Sequence, residues 1–353
     1  MNPGKRGEQE RFYAVDHREL LEAAVAQLYH LELVHSLKAI AERLRIDRRL
    51  VRTYLEAARR HGLVDVRVHH PLRHRVDLGG RLRTLFPVLK DALVIETPTH
   101  RAHLKEEVGR AAAHALDQVI SGLAGKAAGQ KPLVIAVSWG GTVSEAARAP
   151  AMQRTDAPVV CVPAHGSTPI SKGTELSTVL LSWQANEVAR RLAERYRGTW
   201  YPLYVPAFVA KADVAKQLEQ NSVASPVLDL ARRADVVLVG IGTLDKNASF
   251  HVAGVLGERD LEEIKREKGV GDICGRFFRL DGSLCKWKLE QHIVGLKLED
   301  LQSMVSRGRS VIGAAGGREK GPALLGAIEA GAVNHVITDA ECCEGVIELV
   351  REK

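Results

Sequence analysis

The chain has 353 residues, of which 45% are hydrophobic and 26% are charged. This length suits two domains rather than one, and the composition is sufficient for a sizeable buried core. No apolar run approaches the roughly 18 residues that span a bilayer, and the N-terminal sequence MNPGKRGEQER lacks the hydrophobic stretch of a signal peptide. We therefore expect a cytoplasmic protein rather than a membrane-spanning or secreted one.

The net charge of +7 is unevenly distributed. Between Arg43 and Arg75 the chain carries ten arginines but only three acidic residues, which accounts for the whole formal excess. Such a basic segment on an otherwise balanced chain indicates a module that binds a polyanion such as DNA. The five cysteines form no CxxC pair and have no activating neighbour in the sequence, so reduced and mostly buried thiols are expected.

Three helices are predicted around this basic segment. Hydrophobic spacing predicts the first over residues 16–30. The second, Leu37–Leu44, has Ser36 as its N-cap, and the third has Asp47 as its N-cap and ends at His61–Gly62. Two helices joined by a short turn, with arginines on the second, are typical of a helix-turn-helix motif.

The third helix is expected to contact DNA. Its apolar positions Val51, Leu55 and Ala58 share one face and must pack on the other two helices. The opposite face directs a basic set outward near the helix N-terminus, where a recognition helix reaches base edges in the major groove. The predicted DNA-binding residues are Arg48, Arg49, Arg52 and Thr53. The alternative is a three-helix packing unit whose arginine face is only solvated.

The predicted helix-turn-helix sets the domain boundaries. Residues 1–70 are assigned to the helix-turn-helix domain, 71–90 to a linker and 91–353 to an effector-binding and oligomerisation domain. Within the first domain, Leu63–Val68 is expected to form a short strand. His70 and His74 have the spacing of helical metal ligands, but Pro71 lies between them and no carboxylate or thiol accompanies them, so no metal site is expected.

From about Leu93 onward, short β-rich runs alternate with helical stretches. This pattern predicts an α/β domain with a mostly parallel sheet covered by helices. The predicted strands are Ala92–Glu96, Pro132–Val137, Val159–Pro163, Thr199–Val205, Val236–Val239, Ser310–Ile312 and Val333–Ile337. The predicted helices include Arg101–Ala124, Val143–Arg148, Ser182–Tyr196, Leu261–Lys268 and Pro322–Ala330.

Three of the predicted strands run directly into glycine-rich turns, at 138–142, 240–243 and 313–320. Ligands bind at the carboxyl ends of parallel strands, and backbone N–H groups at a helix N-terminus bind anions. Hydroxyl side chains and two basic residues accompany the turns, which predicts a phosphate-bearing ligand. No GxGxxG with a following acid and no GxxxxGK[ST] occurs, so no nucleotide cofactor is expected.

A fourth segment, 269–278, places Asp272 among glycines and apolar residues. Its carboxylate is a candidate acceptor for ligand hydroxyls, and a turn-stabilising aspartate is the alternative. The predicted effector-binding residues are therefore Ser138, Gly140, Gly141, Thr142, Gly240, Gly242, Thr243, Asp272, Arg318 and Lys320.

The order of these motifs resembles the SorC family of sugar-responsive bacterial regulators. The helix-turn-helix is followed by VSWGGT, DVVLVGIGTL, GVGDICGRFFRLDG and VIGAAGGREKGPALLGAIEAGAVNHVITD, and the match extends from about Leu20 to Asp339. The resemblance implies a sensor domain with the fold of ribose-5-phosphate isomerase and glucosamine-6-phosphate deaminase, and a homotetramer that acts on operator DNA. It also implies a phosphate-binding turn at Ser138–Thr142, a hydroxyl-binding acid at Asp272 and a basic phosphate ligand at Arg318 or Lys320.

Two positions depart from the family pattern. Asp47 stands where the family often has serine; both residues cap a helix, but aspartate repels DNA phosphate. The loop 164–174 fits the family pattern poorly, and such a loop is expected to determine which ligand is bound.

The expected function is a DNA-binding transcriptional regulator of a carbohydrate or polyol catabolic operon, controlled by a small sugar-like, phosphorylated effector. One alternative is a sugar-phosphate isomerase or deaminase with an appended DNA-binding domain, in which Asp272 or Glu145 acts as a base or Lys172 forms a Schiff base. An isolated carboxylate without an acid partner argues against turnover, and no catalytic residue is assigned. The second alternative is an architectural DNA-binding protein without a ligand.

Overall fold

The computed structural model describes residues 17–30, 32, 34–64, 72–125, 131–150, 157–168, 178–244 and 255–352. The chain separates into two compact units, which divide between residues 71 and 72. Within the described ranges, no helix combines the length and apolar character that crossing a bilayer requires. The five cysteines are free and buried, as expected.

The N-terminal unit consists of three helices, α1 His17–His30, α2 Leu37–Leu44 and α3 Arg48–Arg60. The predicted caps are present, because the Ser36 hydroxyl accepts the Ala39 N–H at 3.3 Å and the Asp47 carboxylate accepts the Arg49 N–H at 2.7 Å. Gly62 has φ +72°, the left-handed conformation expected after α3. The shared core contains Val25, Leu28, Ile40, Ala41 and Val51. The strand expected at Leu63–Val68 lies mostly outside the described residues.

The C-terminal unit is an α/β domain, as predicted. Its described helices are α4 Val76–Leu85, α5 Leu104–Ala124, α6 Gly141–Arg148, α7 Thr178–Ser182, α8 Ala185–Arg195, α9 Ala212–Gln220, α10 Ser225–Arg232, α11 Glu258–Arg266, α12 Leu298–Ser306, α13 Gly321–Glu329 and α14 Ala340–Arg351. Its described strands are β1 Asp91–Ile95, β2 Leu133–Val137, β3 Val159–Pro163, β4 Thr199–Trp200, β5 Val236–Gly240, β6 Gly269–Ile273, β7 Arg276–Arg279, β8 Ser310–Ala314 and β9 His335–Asp339.

Seven of these strands form one parallel sheet in the order β1-β9-β8-β5-β2-β3-β4. Helices α4, α10, α12, α13 and α14 contribute to the core on one face, and α5, α6 and α8 contribute to the core on the other. Near-continuous apolar strands such as LVIAV and VVLVG are required because both faces of the sheet are buried. The remaining strands, β6 and β7, form an antiparallel hairpin.

Two predictions about this unit need correction. Residues 76–85 form a helix with Leu78 and Leu82 in the core of the α/β unit, so this part of the chain belongs to the domain and is not a linker. The strand predicted over Thr199–Val205 is limited to Thr199–Trp200, at the edge of the sheet. An edge strand has only one neighbour, and β4 pairs with β3 over only two residues.

A buried ion pair connects α8 to α5. Arg195 donates to both carboxylate oxygens of Asp117 at 2.7 and 2.8 Å, and the Tyr196 hydroxyl donates to the same carboxylate at 2.6 Å. The side chains of Arg195 and Asp117 are 3% and 2% exposed. Neither charge therefore has access to water as a replacement partner.

Replacing Asp117 with alanine is expected to destabilise the α/β unit by about 3–5 kcal/mol, because it leaves the Arg195 charge buried without its partner. Denaturant unfolding followed by tryptophan fluorescence measures this loss. The double replacement Asp117→Leu/Arg195→Leu removes both charges and should recover a large part of it. A loss below 1 kcal/mol for Asp117→Ala would contradict the assignment of this pair as buried.

Candidate functional site

The sheet order brings the three glycine-rich turns together. Strands β8, β5 and β2 are consecutive neighbours in the sheet, and all three are parallel. Their carboxyl ends therefore lie side by side at one edge, and each runs into one of the turns predicted to bind the effector. The structure thus places the turns as the sequence analysis expected.

The turn after β2 leads into α6. Gly140 has φ +125°, a conformation that favours glycine, and α6 starts at Gly141. The Gly140 N–H is already used, because it donates to the Trp183 carbonyl at 3.0 Å. The N–H groups of Gly141 and Thr142 belong to the first helical turn, which has no intrahelical acceptors for them. Of the predicted anion-binding donors of the turn, these two N–H groups are the ones not used in this way.

Ser138 has a structural role in the same turn. Its buried hydroxyl accepts the Gly240 N–H at 3.0 Å and donates to the Trp139 carbonyl at 3.1 Å. It therefore ties the end of β2 to the end of β5 and does not border the cavity described below. Thr243 is also buried and does not border that cavity.

The β6–β7 hairpin carries Asp272 to the second turn. The backbone groups of Asp272 and Gly242 exchange hydrogen bonds of 2.9 and 3.2 Å. Asp272 is 5% exposed, and its Oδ2 accepts the Gly275 N–H at 3.0 Å. A Cβ on Gly242 would lie 1.9 Å from Oδ1 of Asp272, so any larger residue here would displace this carboxylate from its observed position. Both residues were predicted from the sequence, but the hairpin that pairs them was not.

The two basic residues predicted at the third turn, Arg318 and Lys320, lie in different environments. The Lys320 ammonium lies beside the second turn and donates to the Ile241 carbonyl at 2.7 Å. Arg318 instead pairs with Glu348 of α14 and is half exposed. Arg318 does not border the cavity, and its assignment as an effector ligand is not supported by its position.

A small cavity of about 40 Å³ lies between these elements. Of the predicted residues, it is lined by Gly140, Gly141, Thr142, Gly240, Gly242, Asp272 and Lys320. Five further lining residues were not predicted, namely Lys105, Trp139, Val143, Ile241 and Cys274. Pockets that hold small ligands usually measure about 300–1,000 Å³, so an effector fits only after the lining has moved.

The cavity has an unusual electrostatic environment. Burial raises the pKa of Asp272 to about 7, while the Gly275 N–H and the Lys320 charge act in the opposite direction. Burial also lowers the pKa of Lys320, and the nearby Lys105 charge acts in the same direction. Two ammonium groups thus border a cavity whose carboxyl group titrates near neutrality.

The loop after β3 is hydrogen-bonded to the turn after β2. Burial lowers the pKa of His165 to about 4, so this imidazole is neutral at physiological pH. It lies 2.8 Å from the Gly166 carbonyl through Nδ1 and accepts the Trp139 N–H through Nε2 at 3.2 Å. Residues 169–177 lie outside the described ranges, and so does Lys172 of the enzyme alternative.

In the N-terminal unit, all four predicted DNA-binding residues are exposed on the first two turns of α3. Val51 and Ala58 are buried beneath them, as the pattern predicted. A contact that the sequence analysis missed holds the other end of α3, where His61 lies 2.7 Å from the buried carboxylate of Glu22 on α1. His70 lies outside the described residues.

Comparison with known proteins identifies the family. A family model described as "Putative sugar-binding domain" matches residues 70–348, which is most of the chain. The chain belongs to this family. Its C-terminal unit is therefore a domain of the sugar-binding type, and the resemblance to the SorC regulators is confirmed.

Relatives cover nearly the whole chain. The deoxyribonucleoside regulator of Bacillus subtilis is 24% identical over 94% of this chain and 98% of its own length. The sorbitol operon regulator of Klebsiella pneumoniae is 24% identical over 91% of this chain and 95% of its own length. These relatives are transcriptional regulators and not enzymes. The expectation of a transcriptional regulator is confirmed over that of an isomerase or deaminase.

Solved structures support the fold. The full-length sorbitol operon regulator SorC from Klebsiella pneumoniae superposes with a TM-score of 0.63 at 22% identity, over 93% of this chain and 99% of the other. A DeoR family transcriptional regulator from Listeria monocytogenes superposes with a TM-score of 0.64 at 24% identity, over 77% of this chain and 98% of the other. Both confirm the predicted fold class.

The raised pKa of Asp272 makes stability dependent on pH. The folded state holds this proton up to about pH 7, whereas an unfolded aspartate releases it near pH 4. Between these values the folded state binds more protons, so this group's contribution to the free energy of unfolding falls as pH rises, by at most about 1.4 kcal/mol per pH unit. Asp272→Asn should remove this contribution.

The measurement is denaturant unfolding of both proteins between pH 4.5 and 8. The stability of Asp272→Asn relative to the wild type should increase up to about pH 7 and then stay constant. Asp281, an exposed aspartate that follows the same hairpin and has a lowered pKa, serves as the control when replaced with asparagine. Parallel pH profiles for wild type and Asp272→Asn would contradict the assignment.

Proposed function

We propose that the protein is a sequence-specific DNA-binding regulator of a carbohydrate or polyol catabolic operon, with α3 as the DNA-contacting helix and the strand-end cavity as the effector site. The observation that carries this proposal is the convergence of the three neighbouring turns, Asp272 and Lys320 on one cavity. The relatives named after deoxyribonucleosides and sorbitol support a sugar or polyol as the effector class. Such a regulator acts in the cytoplasm, where the DNA is.

The exposed face of α3 provides the DNA contacts. Arg48, Arg49 and Arg52 project from the half of the helix that enters the major groove in helix-turn-helix proteins, together with Thr53. None of the ion pairs between described residues involves these three arginines, so their guanidinium groups are available to guanine edges and phosphates. Asp47 caps the helix through the Arg49 N–H, which directs its carboxylate to the protein backbone.

A helix-turn-helix normally recognises one half-site, and a two-fold symmetric pair matches a pseudo-palindromic operator. The functional protein is therefore an even-numbered homo-oligomer, with a tetramer as the arrangement that the family resemblance implies.

The effector site provides two kinds of contact. The buried Asp272 carboxylate is suited to accept hydrogen bonds from sugar hydroxyls, and Gly242 gives it room. The free N–H groups of Gly141 and Thr142 are suited to a phosphate at the start of α6. Because the cavity must enlarge to admit a ligand, the effector favours a different arrangement of its lining. Effector binding changes DNA affinity only to the extent that it favours one arrangement of the oligomer over another.

The DNA-contact assignment predicts the effect of arginine removal. Arg49→Ala and Arg52→Ala should each cost about 1–3 kcal/mol in binding a high-affinity DNA site and relax specificity at the contacted base pair. Fluorescence anisotropy at fixed salt, on a site selected from random DNA by the wild-type protein, measures this loss. Arg59→Ala, at the far end of α3, is the matched control and should have little effect. Unchanged affinity in both variants would show that another surface contacts DNA.

The effector-site assignment predicts ligand-dependent stabilisation. In a thermal-shift screen of ribose, ribose 5-phosphate, sorbitol and sorbitol 6-phosphate, a ligand at 100 times its Kd should add about 2.7 kcal/mol to the free energy of unfolding. Asp272→Asn should reduce the shift for any ligand that binds, whereas Asp281→Asn should preserve it. A ligand that shifts wild type and Asp272→Asn equally would place the effector elsewhere.

A further inference from the structure

We propose that Lys105, in the first turn of α5, binds the anionic end of the effector and determines whether the protein distinguishes a phosphorylated from an unphosphorylated ligand. This inference rests on the proposed effector site and names the residue that recognises the negative charge of the ligand. From the sequence alone, Lys320 or Arg318 was the expected phosphate ligand. The geometry of the site separates these three cations.

Lys105 lies directly beside the anion-binding turn. A Cβ added to Gly141 would lie 3.3 Å from Cδ of Lys105 and 3.2 Å from the Trp183 ring. The Lys105 ammonium lies 5.0 Å from the centroid of that ring, within cation–π distance. Trp183 is itself fixed to the turn, because its carbonyl accepts the Gly140 N–H. Glycine at position 141 therefore lets a cation and an aromatic ring pack against the first N–H groups of α6.

The other two cations have partners elsewhere. Lys320 donates to the Ile241 carbonyl and its charge acts on Asp272, which places it at the hydroxyl-binding end of the cavity. Arg318 pairs with Glu348 outside the cavity. Within the described part of the chain, no carboxylate lies within ion-pair distance of Lys105. Of the two described cations that line the cavity, Lys105 is therefore the one available to a ligand at the turn after β2.

The charge balance of the cavity also favours an anion. Lys105 and Lys320 border the same small space and repel each other, and Asp272 carries only part of a negative charge near pH 7. A bound phosphate would relieve this repulsion and would receive both N–H hydrogen bonds and a charged hydrogen bond. The deeply buried Asp272, whose Oδ2 accepts the Gly275 N–H and whose Oδ1 lies above Gly242, is a second polar group at the cavity and is suited to the hydroxyl groups of a ligand. The ligand class is therefore a sugar or polyol with a terminal phosphate.

Calorimetric titrations of the full chain with inorganic phosphate, ribose 5-phosphate and ribose test this assignment. Lys105→Gln should weaken binding of the two phosphate probes at least tenfold and leave ribose unchanged. Lys320→Gln should weaken ribose and ribose 5-phosphate by similar factors. Lys265→Gln, which removes an exposed lysine from α11, is the matched control. Because Lys105 is exposed, Lys105→Gln should keep the wild-type melting temperature without ligand, and Lys105→Arg should retain phosphate binding.

The outcomes separate this inference from the proposed function. Undiminished phosphate binding by Lys105→Gln, or an equal loss for ribose and ribose 5-phosphate, would overturn the role of Lys105 and leave the effector site in place. Wild-type binding of ribose without any binding of the phosphate probes would overturn the anionic subsite alone. If the wild type bound none of the three probes, nor sorbitol or sorbitol 6-phosphate, both the proposed effector class and this inference would fail.

Discussion

The parallel pairing of β8, β5 and β2 is the constraint on which the site depends. Three segments spread over more than 170 residues of sequence place their turns at one edge, because adjacent parallel strands end on the same side of the sheet. The Ser138 hydroxyl then fixes the spacing of two of these turns by accepting the Gly240 N–H. The cavity is therefore a consequence of the sheet order, and its detailed chemistry is added by the turns and by the β6–β7 hairpin.

Asp272 illustrates how such a site conflicts with stability. A carboxyl group in this position loses most of its hydration, and its pKa rises to about 7. A residue chosen only for stability would be apolar, or would form an ion pair as Asp117 does with Arg195. Asp272 has neither solution, since Lys320 is held by the Ile241 carbonyl. Its compensation is limited to the Gly275 N–H and the nearby Lys320 charge, and buried groups with a strongly shifted pKa of this kind are typical of functional sites.

Support for the turns comes from residues that do not border the cavity. The neutral His165 holds the Trp139 N–H, and the segment that follows β7 packs on the same loop, where the Gly166 N–H donates to the Val294 carbonyl. Arg276 of β7 in turn donates to the Ile293 carbonyl at 3.1 Å. A continuous set of hydrogen bonds thus joins the turn after β2 to the hairpin that carries Asp272.

The sequence by itself determined the local features of this protein. Ser36, Asp47 and Gly62 mark helix ends through hydrogen bonds and backbone conformations that involve only near neighbours. The exposed position of the arginines on α3 follows from helical periodicity. Apolar strands followed by glycine turns likewise predicted the α/β domain and most of the cavity. Only the tertiary structure decided which residues of the turns face the cavity. Ser138 and Arg318 are used in contacts with Gly240 and Glu348, while Lys105 reaches the site from a helix more than 30 residues earlier in the chain. Side-chain direction across such distances depends on how the helices pack on the sheet, and no local pattern encodes that packing.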